Sequence, residues 1–129
     1  MLRIVVATIS ILILDGIWLG FIAKKLYIQE MGSFLRLQGN SIDPLWIPAL
    51  IVYCALILGI VLFVIPKANG VPLQGLLWGG IFGLVTYATY DFTNLAVLSN
   101  WSVKISIIDT CWGIVLCGIT TFVTMLITK

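Results

Sequence analysis

The stretch IVVATISILILDGIWLGFIA, residues 4–23, decides the fold. Crossing the ~30 Å hydrocarbon core of a bilayer takes about 20 helical residues, and this stretch is that long with a single charge, Asp15. Arg3 in front of it gives it the look of a secretory leader. Asp15 interrupts the apolar run, however, and no small-residue cleavage site precedes Lys24 and Lys25, so a retained helix is expected.

Three further apolar segments follow, at about 45–65, 73–98 and 103–127. Across the 129 residues 61% are hydrophobic and 9% charged, against roughly 25% charged in a soluble domain. A water-facing surface cannot be built from such a chain. In lipid, backbone polar groups must be satisfied within the segment, which makes each one a helix. The expected architecture is one all-α domain, a four-transmembrane-helix antiparallel bundle over residues 1–129. The lipid bilayer is its first partner. A net charge of +2, scattered along the chain, points to no nucleic acid.

Turn residues fall between the segments. Pro44 and Pro48 open the second, and Pro66, Asn69, Gly70 and Pro72 make a tight link to the third. Ser99 and Asn100 separate the third from the fourth, a hairpin short enough to force antiparallel neighbours. The longest connection, 24–43, carries Ile28, Met31, Phe34, Leu35 and Leu37 among polar residues. That spacing suits either a short amphipathic segment in the membrane interface or a solvated loop. In the third segment Gly75, Gly79 and Gly83 recur every four residues, which lets two membrane helices approach closely. The neighbour is another helix of this chain or a second copy, and packing within the bundle is the more economical answer.

Three acids sit inside the apolar segments: Asp15, Asp91 and Asp109. A carboxylate in hydrocarbon costs about 3 kcal/mol or more unless paired, hydrated or protonated. With four spans, the connections after the first and third segments lie on one side, here called the loop side. At 1.5 Å per residue the acids lie about 12, 10 and 9 Å below that side, so they form one layer. Asp15 and Trp18 are three apart, as are Asp109 and Trp112, and each pair shares a helix face. Asn94 lies three residues after Asp91, and Tyr87 one turn before it. Indole N–H groups can donate to carboxylates. Three carboxylates in a dry layer cannot all stay ionised cheaply, because desolvation and mutual repulsion both oppose the charge. Protons or a bound cation must balance them. Lys104 is expected to snorkel outward rather than reach Asp109.

Cys54, Cys111 and Cys117 lie in apolar segments and read as buried thiols packing as small hydrophobes. The chain has no histidine, which argues against zinc, haem or copper. No metal site or cofactor is expected.

Several of these stretches are familiar. ILILDGIWLG at 11–20, Tyr27, Gly32, TYATYDFTNLAVLSNW at 86–101 and IIDTCWG at 107–113 resemble a bacterial membrane-protein family known as domain of unknown function 2177. Asn40, Tyr53, Gly59, Phe63 and Pro66 also fit its pattern, while WIP at 46–48 departs from it. The resemblance spans nearly the whole chain. It implies a four-helix architecture in a bacterial cytoplasmic membrane but no established activity. It also singles out Asp15, Trp18, Tyr90, Asp91, Thr93, Asn94, Asp109 and Trp112 as residues that matter.

Three functions compete. The first is binding or transport of a proton, cation or small ligand, since acids facing a bundle interior mark such pathways. Four helices are few for translocation, so a homodimer is expected in that case. The second is an enzyme acting on lipid, with paired carboxylates as acid and base. Against it, the chain has no activated serine or cysteine pair with a base and no phosphate loop. The third is an accessory subunit docking through the glycine face. Lys24, Lys25, Arg36 and Lys104 on the loop side narrowly outnumber Arg3, Lys67 and Lys129 opposite, which favours a cytoplasmic loop side and leaves dual insertion open.

Overall fold

The opening stretch becomes helix α1, Leu2–Ile22, in a computed structural model that describes residues 1–129. α1 is α-helical to Ile17 and ends in a wider π-helical turn, Trp18–Ile22. There the Ala23 N–H reaches back to the Trp18 carbonyl at 2.8 Å. A short helix α2, Lys24–Met31, follows at once. Next comes a minimal antiparallel pair, β1 Leu37–Gln38 with β2 Ser41–Ile42, turning at Gly39 with a φ of 62°.

Helix α3, Trp46–Lys67, also contains a π-helical turn, Ile60–Val64. Its position just before Pro66 has a simple cause. In an unbroken α-helix the proline ring would collide with the carbonyl four residues back, and the wider turn absorbs that misfit. Asn69 and Gly70, both with positive φ, reverse the chain into α4, Pro72–Val97. Asn100, at φ 63°, turns it again into α5, Val103–Ile127. The Ser102 hydroxyl caps α5 by accepting the Ile105 N–H at 3.1 Å.

Three helices, α1, α3 and α5, are long and apolar enough to cross a membrane. Their exposed faces carry Ile9, Ile13, Ile51, Leu58 and Val115, so lipid is the solvent they suit. The fourth expected span, α4, has 26 residues, about 39 Å of helix. Its polar run from Thr86 to Asn94 leaves it less apolar than the other three.

α5 is the hub. It lies along α4 for most of its length and packs against α1 on another side. The α4–α5 contact is close because glycines face each other across it. A Cβ on Gly83 would sit 2.0 Å from the Gly113 carbonyl oxygen, and one on Gly79 would sit 2.6 Å from that of Cys117. A Cβ on Gly75 would meet the Met125 sulfur at 2.5 Å. The glycine face of α4 is thus closed inside the chain by α5, and no second copy has access to it.

Two apolar clusters form. One gathers Ala7, Ile11, Leu56, Ile60, Leu116 and Cys117. The other, toward the loop side, gathers Ala23, Tyr27, Met31, Trp101 and Ile105. The connection after α1 therefore does not simply trail through solvent. α2 turns Tyr27 and Met31 inward, and Phe34 packs on Trp101 with ring centroids 5.3 Å apart. The cysteines need a correction: Cys117 is buried, but Cys54 and Cys111 are exposed. The outside of a membrane protein is as apolar as its core, so an apolar context alone does not imply burial.

Candidate functional site

Between the two clusters lies a layer of hydrogen-bonded acids. Asp15 follows Ile11 by one turn on α1 and is 6% exposed. Its carboxylate accepts the Tyr53 hydroxyl from α3 at 2.5 Å and the Trp112 indole N–H from α5 at 2.9 Å. Three helices converge on this one side chain.

The geometry of Trp18 follows from that contact. In an antiparallel pair with Asp15 opposite Trp112, three residues forward on α1 correspond to three residues back on α5. Trp18 therefore falls opposite Asp109, and each helix presents an acid to the other's indole. The two indoles stack between the acids, centroids 4.5 Å apart and planes 6° from parallel. Trp18 does not donate to Asp109 directly. Its N–H goes to the Tyr27 hydroxyl at 3.2 Å, and that hydroxyl donates to Asp109. Burial, then the Asp109 charge, raises the Tyr27 pKa above its ordinary value, so this phenol remains a donor.

Asp91, 1% exposed, arrives from α4. The Thr110 hydroxyl donates to it at 3.4 Å, and the Asp91 and Asp109 carboxyls lie within hydrogen-bonding reach of each other. Two facing carboxylates with no cation beside them need a shared proton or a bound positive charge. No lysine or arginine supplies that charge. Lys104 is turned outward, 63% exposed, with its ammonium 3.8 Å from Glu30. Nor do three carboxylates or thiols come close enough together to surround a metal ion, because Asp15 is held apart by Tyr53 and Trp112.

The remaining sequence candidates are more peripheral. Tyr87 lays its ring against the backbone of Gly113, where a Cβ would meet it at 2.2 Å. Tyr90 stands edge-on to Trp101, with ring centroids 6.2 Å apart, and lies beside Asn94. Thr93 is exposed and outside the hydrogen-bonded layer. Tyr53 and Thr110 were not among the site residues expected from sequence, nor was Tyr27. Tyr27 and Tyr53 carry the family resemblance, yet nothing near either in sequence points to an acid.

One cavity reaches this layer. It has a volume of about 550 Å³ and lies between α3 and α4, lined by Val52, Ala55, Leu56, Phe82, Thr86, Tyr87, Tyr90 and Asp109. The Phe82 ring nests on Gly59, where a Cβ would come within 2.3 Å of it. That contact brings α3 and α4 together at one end of the cavity. Asp109 is the only carboxylate in its wall.

Apolar helices with bare apolar faces and acids buried between them define a membrane protein. The chain belongs to the family described as a predicted membrane protein (DUF2177), whose model matches residues 1–126. No curated protein and no solved structure matches the chain.

Proposed function

We propose that all four long helices cross the bilayer and that the acidic layer is a proton-exchanging site for a small ligand, bound or transported. One observation carries the reading: Asp109 lies in the cavity wall and also touches Asp91 and Tyr27. A ligand in the cavity thus meets an acid already held by its neighbours. Intramembrane acids that face a bundle interior serve proton relays and ion paths. The four basic residues on the loop side against three opposite favour a cytoplasmic loop side in a bacterial inner membrane.

The membrane-soluble reagent dicyclohexylcarbodiimide tests this in liposomes. A protonated carboxyl adds across one C=N bond of the reagent, oxygen to carbon and proton to nitrogen, and the adduct rearranges to a stable N-acylurea. Peptide mass spectrometry is expected to find the adduct on Asp109, absent in Asp109→Asn. An unlabelled protein, or labelling of Asp15 in its place, overturns the reading.

A further inference from the structure

We infer that the cavity between α3 and α4 receives a lipophilic organic cation, an amine or onium compound that enters sideways from the bilayer. The inference rests on the reading of Asp109 as a ligand-facing acid and adds the chemistry of the ligand.

The walls set the first requirement. Six of the eight lining residues are hydrophobic. Two rim residues, Val52 and Tyr90, are 56% and 55% exposed, so the opening faces outward between the helices. Val52 and Ala55 lie six and nine residues into α3, about 9–14 Å along its axis. At that depth the surroundings are acyl chains, and an apolar body is what can arrive. A volume of about 550 Å³ falls within the roughly 300–1,000 Å³ of small-molecule sites.

The second requirement is charge. Asp109 has a carboxylate and a phenol, Asp91 and Tyr27, as neighbours, and no basic side chain reaches the layer. A cation placed against Asp109 would provide the missing positive charge. Phe82, Tyr87 and Tyr90 line the approach, and aromatic faces attract desolvated cations. An anion of the same shape meets a carboxylate with nothing to offset it.

Tetraphenylphosphonium and tetraphenylborate share one shape with opposite charge, which makes them suitable probes. Binding to the protein in liposomes is measured by equilibrium dialysis, with protein-free liposomes subtracted. Saturable tetraphenylphosphonium binding is expected, with no saturable borate binding. Asp109→Asn should weaken it about thirtyfold, the scale for losing one partner of a desolvated charge pair. Ala55→Trp fills the cavity from an exposed position outside the acid layer and should abolish binding in a protein that is still folded by circular dichroism. Equal binding of both probes, or unchanged binding in Ala55→Trp, overturns the inference. If the phosphonium fails to bind while carbodiimide still labels Asp109, the ligand class is wrong and the proton-exchanging site stands. If both fail, the site falls too.

Discussion

The Trp112 indole on α5 donates its N–H to the Asp15 carboxylate on α1 at 2.9 Å. That bond sets the register of the two helices, and the stacking of Trp18 on Trp112 follows from it. Trp112→Phe keeps a ring in the stack but removes the donor, leaving Asp15 with Tyr53 alone. A loss of about 1–2 kcal/mol is expected, above the membrane average for such bonds because the acceptor is a buried carboxylate. Unfolding in mixed detergent micelles measures it. Pairing the change with Asp15→Leu, which has no acceptor, should give less than the summed losses, since both remove the same bond.

Tyr27 is the one residue of α2 that touches the acid layer, taking the Trp18 N–H and passing its own proton toward Asp109. Tyr27→Phe leaves Asp109 without this donor and the Trp18 N–H without its acceptor, and a loss of about 1–3 kcal/mol is expected. Unfolding in mixed detergent micelles measures it. An unchanged stability means that the Tyr27 bond does not hold α2 to the acid layer.

Two glycines separate packing from propensity. Gly83→Ala puts a methyl group 2.0 Å from the Gly113 carbonyl oxygen, and backbone there cannot yield without parting α4 from α5. A cost of about 3 kcal/mol or more is expected, in line with overpacking of a tight core. Gly16→Ala meets nothing within 4 Å and should be neutral or mildly stabilising. Thermal aggregation curves in detergent distinguish the two.

Thr120 is fully buried and its hydroxyl has no hydrogen-bond partner. Thr120→Val keeps the shape and removes the unsatisfied group, so a gain of about 1 kcal/mol is expected. A loss in the same unfolding assay shows that the hydroxyl has a partner within the fold.

The ion pair of Lys104 with Glu30 makes a contrasting case. With Lys104 63% exposed and 3.8 Å from its partner, the contact is solvent-screened, and Lys104→Ala should change stability by less than about 0.5 kcal/mol.

By itself the sequence determined that this chain belongs in lipid, because 9% charged residues cannot cover a soluble surface. It also marked the ends of the long helices, since proline, glycine and asparagine sit where the chain reverses. Read as four antiparallel spans, it puts Asp15, Asp91 and Asp109 at similar depths, because depth then depends only on helix rise and direction. Rotation about each helix axis is another matter. Lipid and core are equally apolar, so no hydrophobic stripe tells which face turns inward, and Cys54 and Cys111 were misread as buried for that reason. The crossed pairing of Asp15 with Trp112 and of Trp18 with Tyr27 depended on packing. So did the arrival of Tyr27 at Asp109, 82 positions away. Close glycine contacts hold α4, which carries Asp91, against α5, which carries Asp109, and that detail exists only in three dimensions.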